Sequence, residues 1–132
     1  MKYAVQAVIL NDKGQVLSVS RKDNHEDAGL VGGKVDPEDL NPEEAIARET
    51  FEETGLRINT ATMQVVFQMH KGDYMGITYL VKNWSGEINT DEPHVVKWVP
   101  FEEVIKGSFG RWNQMVSDSL TSMGVEFKKS VD

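Results

Sequence analysis

The sequence predicts an α/β (α+β) domain in which a mixed sheet lies between helices, an α/β/α sandwich. Three observations predict it. Strand-like apolar runs flank one strongly capped helix, and a second helix-spaced segment follows near the end of the chain. The length of 132 residues suits a single domain, 1–132, with a core of its own. No repeat, low-complexity tract or linker divides it.

Residues 3–10 read as a first strand, and Asn11-Asp12-Lys13-Gly14 as a hairpin turn. Residues 15–20 return as a second strand, ending at Arg21 and Lys22. Residues 23–29 are polar and read as a loop, and Leu30 and Val31 as a short apolar approach to Gly32 and Gly33. An acidic loop, 34–41, leads to a helix over 42–54. Asn41 is its N-cap, Pro42 suits its first position, Glu43 and Glu44 favour its positive end, and Gly55 terminates it. Ala47, Phe51 and Thr54 are expected to pack that helix against the sheet.

Residues 61–70 and 74–83 form two further strands around the turn Lys71-Gly72-Asp73. A short strand spans 95–99, a one- or two-turn helix spans 101–106, and a longer helix spans 111–123 through Trp112, Met115, Val116 and Leu120. The polar tail, 126–132, is expected to fray.

Composition narrows the function classes. With no cysteine, disulfides and thiolate metal sites are excluded. No apolar run reaches membrane-spanning length, so no membrane partner is expected. The N-terminus lacks the long apolar segment of a signal peptide, and the expectation is a cytoplasmic protein. A net charge of −7 opposes nucleic acid binding and requires any phosphate ligand to come with cations. Nothing in the pattern separates a monomer from a homodimer.

Chemistry concentrates between Gly32 and Leu56, in GGKVDPEDLNPEEAIARETFEETGL. At about 100° per residue, Glu49, Glu52 and Glu53 share one helix face. Three adjacent carboxylates repel one another unless a cation sits between them. Alone, they better describe a solvated acidic face. The paired glycines, which permit close backbone approach, turn the stretch into a cradle for a hard divalent ion and a diphosphate.

This stretch resembles the signature box of the Nudix hydrolases, the pyrophosphohydrolases that include the MutT-type enzymes. Gly33, Arg48, Glu49, Glu52, Glu53, Gly55 and Leu56 match it, and WVPFEEV, from Trp98 to Val104, is also Nudix-like. Two positions depart. The interval from Gly33 to Arg48 is one residue longer than the family spacing, so Asp39 or Glu38 stands in for the spaced glutamate. Thr50 occupies an apolar position.

The resemblance implies a Nudix-type sandwich and metal-dependent hydrolysis of a nucleoside diphosphate linked to another group, with Mg²⁺, or Mn²⁺ as a substitute. A (d)NTP converted to (d)NMP and pyrophosphate is the first choice. ADP-ribose, a nucleotide sugar or a dinucleoside polyphosphate is the alternative, as is a non-catalytic nucleotide sensor. It further implies Glu52 and Glu53 as metal ligands, Glu49 as base or further ligand, Arg48 as its orienting partner, and the Gly33 carbonyl as a neutral ligand. Glu92 is a second candidate base. Asp91 is placed to read a purine edge, and Arg21 and Lys22 to hold phosphates. Solvated loop or strand-end roles are the competing readings for these four. His25, His70 and His94 lack metal-ligand spacing and suit hydrogen-bonding or surface roles. Trp84, Trp98, Trp112, Phe67 and Tyr74 are core residues or base-stacking surfaces.

Overall fold

The computed structural model describes residues 2–131. The elements are β1 (Lys2–Ile9), β2 (Val16–Ser20), β3 (Ala28–Lys34), α1 (Pro42–Thr54), β4 (Arg57–Ile58), β5 (Gln64–Lys71), β6 (Tyr74–Val81), β7 (Trp84–Ser85), β8 (Val96–Val99), α2 (Glu102–Ile105) and α3 (Gly110–Ser122). One sheet runs in the order β5-β6-β1-β3-β2-β8, and β4 and β7 form a separate ribbon. β1 and β6 are parallel while its other pairs are antiparallel, so the sheet is mixed, as expected.

Alternation along β1 divides the core. Val5, Ala7 and Ile9 pack with Ala45 and Ile46 of α1. Val8 packs on the other face with Val104 of α2 and with Trp112, Val116 and Leu120 of α3. The sheet thus lies between helical layers. No helix among the described residues is long and apolar enough to cross a membrane.

The capping residues set both ends of α1. The Asn41 side chain accepts the Glu44 N–H at 2.8 Å. Gly55 takes the left-handed conformation, φ 83°, and donates to the Phe51 carbonyl. The buried stripe keeps Thr54 of the expected residues but otherwise differs. Ala45, Ile46, Thr50 and Thr54 face the sheet, whereas Phe51 is exposed and carries Arg57 over its ring at 4.3 Å. The threonines bury because their hydroxyls donate to carbonyls one turn back, at 2.7 and 2.6 Å. This rotation turns Glu49 and Glu53 inward with Ala45 and leaves Glu52 outermost.

Two further expectations change. The segment read as a loop and a short approach is the seven-residue strand β3, which starts at Ala28 and continues through both glycines. Ladder bonds to β2 and then β1 override the low strand preference of glycine. The tail expected to fray is docked through residue 129; Asp132 lies outside the described residues. The Lys128 N–H donates to the Gly14 carbonyl, Phe101 N–H to Lys128, and Glu102 N–H to Lys129. Phe127 meets Phe101 edge-on at 5.3 Å, which supplies the apolar contact that holds a polar segment in place.

Candidate active site

The site begins where β3 changes neighbours. Residues 28–30 pair with β2 and residues 31–34 with β1. The Val35 N–H bonds to the Tyr3 carbonyl, which makes 3/35 a hydrogen-bonded pair. By antiparallel alternation 5/33 is bonded too, and 6/32 is not. The Gly33 carbonyl, expected as a metal ligand, is therefore turned into the ladder with Val5. Gly32 is the residue whose backbone faces away from β1, and its N–H donates to Glu53 Oε1 at 3.1 Å. Gly33 has a different constraint: a Cβ there would collide with the Glu49 carboxylate. The glycine pair lets α1 press two glutamates against a strand.

Arg48 organises the remaining acids. Its Nε and Nη2 bind the two Asp39 oxygens at 3.0 and 2.9 Å, a bidentate fork. Its Nη1 reaches Glu49 Oε1 at 2.8 Å and Glu52 Oε1 at 3.1 Å. Asp39 is thus the residue that stands in for the spaced glutamate; Glu38 is exposed. The Asp39 side chain is only 4% exposed, and its bond to Arg48 holds its carboxyl below the usual range. The same bond raises the guanidinium of Arg48.

Glu53 is in a different position. Burial pushes its carboxyl up to about 8, against the stabilising Gly32 N–H and with the charges of Glu49 and Glu92 adding to the rise. Burial also raises Glu49, and Arg48 opposes it. No ion pair reaches Glu53 among the described residues. Nor do three or more acidic or imidazole groups there converge on one point as a ready metal site. Arg48 draws Glu49 and Glu52 to itself, and Gly32 holds Glu53. The donor chemistry nonetheless fits a hard cation: three carboxylates and the carbonyl of Gly32 are oxygen donors, and a half-buried carboxylate raised by neighbouring like charges is what a cation relieves.

The other expected residues divide. Lys22 pairs with Glu92 at 3.0 Å, and both bear electrostatically on Glu53. Arg21 lines the adjoining cavity while bonded to Asp23 at 3.1 Å. Asp91 is exposed and does not line that cavity. His25 bonds the Pro93 carbonyl at 2.8 Å and His94 the Glu53 carbonyl at 2.7 Å, the hydrogen-bonding role read for them.

The cavity, about 580 Å³, runs from Glu53, Gly32 and Gly33 to Tyr74, Phe109 and Trp112. A second hollow of about 700 Å³, around Asn11, Lys82 and Trp84, contains none of the clustered acids. Of the far wall, the sequence marked Tyr74 and Trp112 as core or stacking rings and missed Phe109 and the lysines beside it. Phe109 is half-exposed with Lys71 Nζ 5.8 Å from its ring centre, and Lys34 Nζ lies 5.4 Å from that of Tyr74. Asp27 accepts the Ser108 N–H at 2.8 Å and its hydroxyl, which fixes the segment that presents Phe109. No periodicity marks such a wall.

Comparisons with known proteins agree with the fold. The profile of the NUDIX domain matches residues 1–117. A MutT-like protein of Streptomyces ambofaciens is 29% identical over 102 residues, covering 76% of this chain; the chain spans 65% of that relative's length. A MutT structure from work on Aliivibrio salmonicida and Vibrio cholerae superposes with TM-score 0.73 at 22% identity, over 92% of this chain and 98% of the other. The MutT NUDIX hydrolase of Burkholderia pseudomallei gives 0.69 at 25%, over 90% and 97%. An ADP-ribose pyrophosphatase of Streptococcus suis gives 0.71 at 17%, over 98% and 96%.

Proposed function

The chain belongs to the NUDIX family, and from that premise we propose that it hydrolyses a pyrophosphate bond of a nucleoside diphosphate linked to a further group, with a divalent cation. A (d)NTP, cleaved to (d)NMP and pyrophosphate, is the substrate class favoured. The observation that carries this reading is Glu53. It is a half-buried carboxylate with no ion pair among the described residues, pressed on Gly32 at the mouth of a cavity large enough for a nucleoside.

Glu53, Glu49, Glu52 and the outward carbonyl of Gly32 would hold Mg²⁺ or Mn²⁺. Bound there, the cation neutralises phosphate charge and lowers the cost of forming hydroxide from water. Arg48 sets the orientation of Glu49 and Glu52 and is itself fixed by Asp39. Glu49, or Glu92 once released from Lys22, would accept the proton of the attacking water. Lys22 and Arg21 supply positive charge near the acids, and Tyr74 and Phe109 offer rings to a base. MutT-type and ADP-ribose-cleaving proteins share this fold at comparable TM-scores, so the rings and cations of the cavity carry the choice of substrate.

The test is turnover of nucleoside triphosphates, ADP-ribose, nucleotide sugars and dinucleoside polyphosphates with Mg²⁺ or Mn²⁺, with products identified. A (d)NMP and pyrophosphate from a triphosphate are expected. No turnover of any of them with either ion sinks the proposal, and a ligand bound but unchanged would identify a sensor.

A further inference from the structure

The last turn of an α-helix leaves four carbonyls without intrahelical partners. In α1 all four are taken. Gly55 N–H bonds Phe51 at 2.9 Å, and Asn89 N–H bonds Thr54 at 2.8 Å. Thr90 Oγ1 donates to Glu52 at 3.1 Å and His94 Nε2 to Glu53 at 2.7 Å. Three of the four donors come from one segment, residues 89–94, and two of the carbonyls belong to the glutamates of the site. A carbonyl only accepts, so His94 Nε2 carries the proton. The ring is buried, at 8% exposure.

That segment also carries Glu92. It is tied down beyond the helix as well: Val95 N–H donates to Ser20 Oγ at 2.8 Å and Ser20 N–H to the Val95 carbonyl at 2.9 Å. Gly55 allows the approach, since a Cβ there would collide with the Asn89 backbone. The backbone of Glu53 is thereby fixed from one side by His94 while its carboxylate is fixed from the other by Gly32.

We propose that His94 is a positioning residue: through the Glu53 carbonyl it sets the last turn of α1 against the Glu92 segment, and so fixes Glu52 and Glu53 for the cation. This rests on the metal site proposed above, and the test separates the two.

Mn²⁺ affinity is measured by electron paramagnetic resonance, without substrate, in wild type, His94→Phe and His94→Gln, alongside thermal unfolding. Phenylalanine keeps the ring and loses the donor; glutamine restores an N–H donor. The expected result is Mn²⁺ binding weakened at least about tenfold in H94F, as for other groups that orient metal ligands, and recovered to within about threefold in H94Q. Should H94F not fold, Thr90→Val removes the neighbouring donor to Glu52 and is expected to weaken Mn²⁺ about threefold. Unchanged Mn²⁺ affinity in the folded variant overturns the positioning role alone. Equal weakening in H94F and H94Q does the same. Failure of wild type to bind Mn²⁺ overturns the metal site and with it this inference. Mn²⁺ binding without turnover removes the hydrolase reading and leaves the role of His94 intact.

Discussion

At the Gly32 end of the cavity, carboxylates are held against backbone, and Glu53 has no ion pair among the described residues. At the Phe109 end, a half-exposed ring is held by a short carboxylate-to-serine clamp, with lysines over the neighbouring faces. The acidic end costs folding free energy when Glu53 is ionised, and it is the end proposed to hold the cation. The aromatic end stores no comparable strain, since ring and cation favour one another in water as well. Mutations at the two ends should therefore separate stability from activity in opposite ways.

The largest effect is expected at Glu53. Its carboxyl is raised from 4.5 to about 8, so the folded protein binds a proton more tightly than the unfolded chain. This contribution to stability is complete below about pH 4.5 and is lost as pH rises through about 8. The metal-free protein should lose stability across that window, and added Mg²⁺ should stabilise it progressively more. Glu53→Gln should abolish the dependence, raise metal-free stability at pH 8 by ~2–4 kcal/mol, and lower activity by at least about 100-fold. Thermal unfolding against pH, with and without Mg²⁺, checks it. A variant less stable than wild type at pH 8 would show that the acidic end carries no such cost.

Asp39 tests whether the acids need a scaffold. Asp39→Ala removes both oxygens that fork onto Arg48, freeing that cation to swing from Glu49 and Glu52. Activity should fall about 10- to 100-fold and stability by ~1–3 kcal/mol. Glu38→Ala, one residue earlier and exposed, should change neither. Equal behaviour of the two variants in kinetics and denaturant unfolding would remove Asp39 from the site.

The two ends also differed in how far the sequence disclosed them. α1 was legible to the residue because Asn41, Pro42 and Gly55 act locally, through caps that need no tertiary partner. Its inward face was legible only at Thr54, since Phe51 looks like the packing residue until Leu56 and the threonine stripe take that place. β3 was missed for a related reason: its glycines have low strand propensity, and the bonds that make it a strand come from β1 and β2. The extra residue in the 34–41 loop left Asp39 and Glu38 as alternatives, and only the Arg48 fork decides between them. The Phe109 wall carried no signal, because an aromatic residue in a loop reads alike whether it is buried, idle or facing a ligand.

The smallest effect on stability and kcat is expected at that wall, and it completes the contrast. Phe109 is half-exposed, so Phe109→Ala gives up little packing and should shift the unfolding midpoint by no more than a degree or two, in the range of surface substitutions. A ring face that stacks a base contributes ~1–3 kcal/mol to binding. KM should therefore rise at least about 5-fold, and up to about 150-fold, while kcat, set at the Gly32 end, stays within about twofold. Phe109→Tyr keeps the face and should keep KM. A fall in kcat with KM unchanged would mean that the ring acts on the reacting end, and that the cavity is not divided as its side chains divide it.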